Sequence, residues 1–234
     1  MKKLRIAMIT LLAILMVAGC KKKEETPVVE TTAEEAVTIM ATSLCTGNAG
    51  TMTQVDDAVT LSKTTILKSS LYDSSFTITN TPGAVITYQY QMNYSYSFLN
   101  SNNFQLTYNA TGNYNAPMVY ASITTNGSLN VTGILSGNDY IVNGQASREG
   151  TFTLKGGNQN SVSATVTTNL INLKVSKATG VVGSGTATIV VNGSTAAGRN
   201  FAFTGNLVYT GNYTGTLTIV GKQYYINLTT GTVQ

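Results

Sequence analysis

The 234-residue sequence contains no histidine, which excludes a Ser-His-Asp relay and a histidine-ligated zinc site. Cysteine is nearly as scarce: the chain has two, Cys20 and Cys45, too few for a cysteine-rich metal centre. Charge is sparse as well, at 10% of residues. From Phe76 to the end the chain carries only two carboxylates, Asp139 and Glu149. Asp139 reads as a turn residue in Gly137-Asn138-Asp139, and Glu149 sits in Arg148-Glu149-Gly150, which has the look of a turn or bulge. Paired-carboxylate chemistry needs two such groups at a defined separation, and neither residue is placed for it. No catalytic residue, cofactor or metal ligand is therefore assigned, and the chain reads as a non-enzyme.

What is present starts at the N-terminus. Met1-Lys2-Lys3-Leu4-Arg5 is basic, and Ile6 to Ala18 is apolar apart from Thr10. The run is too short to cross a bilayer comfortably, since a span takes roughly 20 apolar residues, but it has the layout of a signal peptide. It ends in Val17-Ala18-Gly19-Cys20. This end resembles the lipobox of bacterial lipoproteins, and the resemblance implies that Met1 to Gly19 is removed and that Cys20 carries the lipid. Several acyl chains on one cysteine, at about 0.8 kcal/mol per buried methylene, would hold a protein on a membrane.

Lys21-Lys22-Lys23-Glu24-Glu25 and the residues to Thr32 read as a charged tether. Lysine followed by acidic residues resembles the surface-export signal of Bacteroidetes lipoproteins, and a solvated spacer has the same composition. The expected location is thus the bacterial envelope, at the outer membrane, on its periplasmic or surface face. With lipid on Cys20, Cys45 has no partner for a disulfide; at the end of a helical pattern it reads as a small buried thiol.

Removing Lys2, Lys3 and Arg5 with the signal leaves 215 residues holding eleven basic and ten acidic side chains. A nucleic-acid partner requires a basic stripe to neutralise several phosphates, so that class is excluded. The length suits one domain.

Thr32-Ala33-Glu34-Glu35 has the form of a helix capping box. Ala36, Val37, Met40, Ala41 and Leu44 then share a helix face, predicting an amphipathic helix from Ala33 to about Cys45. Met52, Val55, Val59 and Leu61 could line a second helix starting near Thr53, against the helix-weakening threonines around them. Residues 33–72 are thus expected to be a helical or irregular segment packed on a sheet formed by residues 73–234.

From Phe76 the period becomes two. The clearest run is Ile86, Tyr88, Tyr90, Met92, Tyr94, Tyr96 and Phe98, alternating with polar residues. Similar runs follow to Leu228, separated by turn clusters such as Ser136-Gly137-Asn138-Asp139, Gly156-Gly157-Asn158, Asn192-Gly193-Ser194, Gly211-Asn212 and Gly221-Lys222. The expected fold is mainly β: an antiparallel meander. Strands this long must coil or close to protect their edges. Gly144, Gly183, Gly185, Gly205 and Gly215 share parity with apolar neighbours, as curvature would require. A half-barrel or barrel with a short N-terminal amphipathic helix is predicted, with a bulge near Leu170 where the parity of apolar residues switches.

The stripe of Tyr88, Tyr90, Tyr94 and Tyr96 could hold a sugar or apolar ligand, or simply fill a wide core. Three functions remain open: a non-catalytic binding or structural lipoprotein, a carrier of lipid or another apolar ligand, and a membrane-spanning barrel. The expected partners are the membrane through the N-terminal lipid, and an apolar or carbohydrate ligand or another envelope protein.

Overall fold

The computed structural model describes residues 31–64, 71–80, 83–156 and 160–234. The signal peptide, Cys20 and the tether as far as residue 30 lie outside the described residues, as do Gly157 and Asn158 of one predicted turn.

Among the described residues two helices come first, α1 (Ala33–Leu44) and α2 (Thr51–Thr64), joined by a 3-10 turn at Thr46–Asn48. The capping box forms as the sequence implies. The Glu35 backbone N–H donates to Thr32 Oγ1 at 3.2 Å, and the Thr32 N–H donates to Glu35 Oε2 at 2.8 Å. Beyond the helices run ten strands: β1 (Tyr72–Thr79), β2 (Thr87–Asn100), β3 (Asn103–Asn115), β4 (Val119–Thr132), β5 (Asp139–Leu154), β6 (Ser161–Ser176), β7 (Val182–Thr195), β8 (Asn200–Gly211), β9 (Thr214–Ile219) and β10 (Lys222–Asn227). They form one antiparallel sheet in sequence order, β1 to β10, so the meander is as expected.

The sheet is open. β1 and β10 are its two ends and do not pair with each other, which selects the half-barrel over the closed barrel. The free edge of β10 is partly covered by the chain's own last residues. Tyr225 N–H donates to Gln234 O and Gln234 N–H returns to Tyr225 O, both at 2.9 Å. At the corner between the helices, Thr46 N–H donates to Leu228 O (2.9 Å) and Gly47 N–H to Thr229 O (2.8 Å), tying the helical segment to the end of the sheet.

The curvature is visible in what happens to α1. Every residue from Ile39 to Leu44 is buried. At 3.6 residues per turn these six span the full circumference, and a helix apolar and buried all round lies inside a core rather than on it. Its neighbours run from β4 through to β10, while α2 packs against β3, β4 and β5. The predicted amphipathic helix thus occupies the concave side of the sheet, and the helical segment contains two helices. The second forms despite its threonines because Met52, Val55, Ala58 and Val59 are all buried, and tertiary packing outweighs weak propensity.

Several local expectations are corrected. Asn192-Gly193-Ser194 is not a turn: it lies inside β7, pairing with Phe201, Asn200 and their neighbours on β8, and the chain reverses at residues 196–199 instead. Arg148-Glu149-Gly150 is likewise continuous strand in the middle of β5. Gly183 faces outward, whereas Gly144, Gly185, Gly205 and Gly215 sit against apolar side chains of neighbouring strands. The bulge near Leu170 is present. Asn172 takes a positive φ of 50° and the β6–β7 register shifts between Ile171 and Lys174, so Ile171 turns out to solvent while Leu170 and Leu173 stay buried. Leu135, which continues the apolar alternation of Leu129 and Val131, is exposed in the β4–β5 connection. The two short hairpin turns are displaced by one residue from the predicted pairs. Asn212 and Tyr213 (φ 51° and 54°) form one, and Val220 and Gly221 (48° and 76°) the other, the primed geometry that matches strand twist.

Candidate functional site

Alternation along β2 carries the tyrosine stripe to the concave side, but not uniformly. Tyr90 and Tyr94 are buried, at 1% and 5% exposure, together with Met92 between them. Tyr88 and Tyr96 are half-buried at the two ends. The rings pack on one another and on neighbours, with Tyr94 edge-on to Phe76 (5.1 Å between centroids) and to Tyr108 (6.2 Å), and Tyr96 stacked on Tyr72 (5.5 Å). Space for the large rings comes from glycine on the next strand: a Cβ on Gly112 would lie 2.6 Å from the Tyr90 ring, and one on Gly127 would lie 2.5 Å from Tyr108 Cζ. The four residues therefore do not form one platform. Two belong to the core, and Tyr88 and Tyr96 alone reach the surface.

The helices meet these rings with polar groups. On α2, Asp57 accepts a hydrogen bond from the Tyr94 hydroxyl and Asp56 accepts one from Tyr213 at 2.7 Å. Tyr94 is on β2 and Tyr213 lies between β8 and β9, so two adjacent carboxylates clasp opposite halves of the half-barrel. Burial raises the pKa of both, and Asp56 is pushed up to about 6, its Tyr213 hydrogen bond opposing the shift and the neighbouring Asp57 adding to it. On α1, Thr42 Oγ1 accepts from Tyr114 of β3 at 3.1 Å, and Glu34 pairs with Lys222 at 3.1 Å and accepts from Tyr224 at 3.2 Å.

Arg148 lies inside, 1% exposed, and donates through Nη2 to the carbonyl of Ala49 at the corner between the helices. Gln54 donates to the same carbonyl at 3.2 Å. The guanidinium stands 5.9 Å from the centroid of the Tyr90 ring.

The phenols and the guanidinium here supply hydrogen-bond donors and aromatic faces, and the carboxylates of the helices accept from tyrosines. Burial raises the phenol pKa values of Tyr90, Tyr94, Tyr108, Tyr114 and Tyr209, so these hydroxyls stay protonated. Cys45 is buried and its thiol is pushed up to about 11, chiefly by desolvation; inertness follows, because the thiolate is the reactive form. Asp139 and Glu149 lie ten residues apart on β5, roughly 33 Å at about 3.3 Å per residue, beyond the roughly 5 to 9.5 Å that glycosidic chemistry uses. Among the described residues no group of three or more Cys, Asp or Glu side chains is arranged to hold a metal ion.

Sequence reasoning missed Arg148 and the Asp56–Asp57 pair. Arg148 was detectable, since it shares parity with Gly144, Ala146, Gly150 and Phe152, the inward set of β5. The aspartates were harder to see: they flank the apolar stripe of α2, and their phenol partners lie 37 and 157 residues away.

No protein-family profile, curated protein or solved structure matches the chain.

Proposed function

We propose that the protein is a lipoprotein of the bacterial envelope, held at the outer membrane through acylated Cys20, whose β domain binds or braces a partner at the membrane surface without catalysing a reaction. The observation that carries this reading is the order of features at the N-terminus: basic start, apolar run, then Val17-Ala18-Gly19-Cys20 and a charged tether. The interior agrees with a non-catalytic role, because its phenols and its thiol are held in their unreactive forms and its acids are hydrogen-bonded to tyrosines. The outer face offers polar contacts instead, with cross-strand bonds such as Asn93 to Asn109 (2.9 Å) and Thr77 to Gln91 (2.8 Å).

Growth of bacteria expressing the full chain with labelled palmitate tests the anchor. Label should enter the protein and fractionate with membranes, and Cys20→Ala should remove the label and release the protein without detergent. Unlabelled wild-type protein would defeat the proposal. A Cys20→Ala chain that still needs detergent would point to a membrane-spanning barrel. The same soluble form, extracted with organic solvent, is expected to yield no stoichiometric lipid; one bound lipid per chain would favour the carrier.

A further inference from the structure

Arg148 is the least balanced charge among the described residues. It projects from the middle of β5 into the concave side, almost wholly out of solvent, where a cation is rarely found unpaired. A guanidinium is a cation that offers several N–H donors and no acceptor. Nη2 reaches the Ala49 carbonyl. Nε and Nη1 are buried with no protein acceptor. The buried hydroxyls of Tyr90 and Tyr108 lie within reach of its charge; neither completes a hydrogen bond of good geometry, although the guanidinium approaches the Tyr90 hydroxyl closely enough to favour its ionised form.

No described carboxylate offsets this cation by hydrogen bonding. Asp56 and Asp57 are bonded to tyrosines, Glu34 is bonded to Lys222, and Glu35 caps α1. Asp73 and Glu149 are exposed, and Asp139 is nine residues away along the strand. The ends of the two helices nearly cancel: the negative end of α1 at Leu44 and the positive end of α2 at Thr51 flank the same corner. The π face of Tyr90 compensates in part. Two acceptors here, Asn48 Oδ1 and Gln54 Oε1, are also buried without donors. Water could serve those acceptors, yet water leaves the charge of Arg148 unneutralised.

We propose that this corner is a binding site for one small monovalent inorganic anion with the size and chemistry of chloride, received by Arg148 Nε and Nη1 and by the hydroxyls of Tyr90 and Tyr108. Because the site needs β2, β3, β5 and the helix corner together, the anion binds the native state alone and stabilises it.

Thermal unfolding of the full chain in chloride or bromide, against gluconate at matched ionic strength, reads the linkage. Well above half-saturation each tenfold rise in free halide should multiply the folded-to-unfolded ratio about tenfold, and gluconate should not. Arg148→Met should abolish the halide response. Should that variant fail to fold, crystals of the unaltered protein grown in bromide carry the test, with an anomalous peak expected within hydrogen-bond reach of Arg148 Nε and Nη1. Ordinary waters there, or equal responses to halide and gluconate, overturn the proposal. So does a bromide peak without halide-specific stabilisation, which would mark an adventitious ion only.

Discussion

Replacing Asp56 by asparagine should make the protein more stable at neutral pH, against the usual expectation for losing a charged hydrogen-bond acceptor. Asp56 lies on α2 with its carboxylate 2.7 Å from the Tyr213 hydroxyl, and burial lifts its pKa from an ordinary 3.8 to about 6. A folded-state pKa above the unfolded one means the native protein holds the proton more tightly. Between pH 3.8 and about 6 the native state therefore binds more protons, so stability falls as pH rises through that window, and above it the ionised group is carried at a cost. The gap corresponds to ~3 kcal/mol at about 1.4 kcal/mol per pH unit, which partial solvent contact reduces to about 1–2 kcal/mol. Asparagine keeps an oxygen for Tyr213 and removes the charge. Urea unfolding at pH 7.5 should show Asp56→Asn more stable than wild type by that amount, with Tm higher by roughly 2–4 °C per kcal/mol. At pH 4.5 the difference should shrink toward zero. Asp57 titrates in both proteins and largely subtracts out of the comparison. A variant less stable than wild type at pH 7.5, or an offset equal at both pH values, would refute the reasoning, because either result means that burial does not penalise the charge.

Cys45, with its thiol pushed up to about 11, should resist maleimide at pH 8 in a Cys20→Ala chain and react only as urea unfolds it. Protection should therefore fall along the same curve as the tyrosine fluorescence. Gly127→Ala places a methyl 2.5 Å from Cζ and Oη of Tyr108. Displacing that packed ring should cost about 1–3 kcal/mol in a urea titration, and an unchanged midpoint would mean that the ring does not lie on the glycine. Thr32→Ala removes the hydrogen bond to the Glu35 N–H and should cost about 1 kcal/mol, measured the same way.

Features governed by local rules were legible in the sequence. The capping box located the start of α1 to the residue, and period two located the strands, because one face of each is buried and a slip of one residue would expose it. Where a sequence feature has two physical uses, the reading failed. Asn192-Gly193-Ser194 has the composition of a turn, yet its glycine is used for close approach: a Cβ there would lie 2.3 Å from Ser163 O and 2.7 Å from Phe201. Gly183 has inward parity by count, but the β6–β7 register shifts opposite it and turn it outward. The tyrosine stripe was visible as a stripe, while its division into buried and half-buried members depends on which strand and helix cover each ring. Arg148 could have been placed by parity. Its surroundings could not, because the Ala49 carbonyl is 99 residues distant in sequence.

The filled interior also weighs on what the domain can bind. A carrier with this architecture would have to accommodate its ligand where α1 now lies. Val37, Ile39, Met40 and Leu44 are wholly buried there, and at about 1.5–3 kcal/mol for each side chain their exposure would cost roughly 6–12 kcal/mol. An acyl chain of about fourteen methylenes entering instead would return about 11 kcal/mol at 0.8 per methylene, less an association cost of at least ~4 kcal/mol. At best the exchange gains about 1 kcal/mol on these figures, before counting the hydrogen bonds from Tyr114 to Thr42 and from Tyr224 to Glu34 that anchor α1 to the sheet. The concave side already holds an occupant of comparable worth, a helix of its own chain. For any partner the domain were to have, that balance favours contact with the polar outer face and the rims of the sheet, and it makes α1 the element to lock. A disulfide joining α1 to β3 should leave partner binding intact if the outer surface is used, and should abolish loading if the concave face is; ligand capture that persists only in the reduced form would reverse the preference argued here.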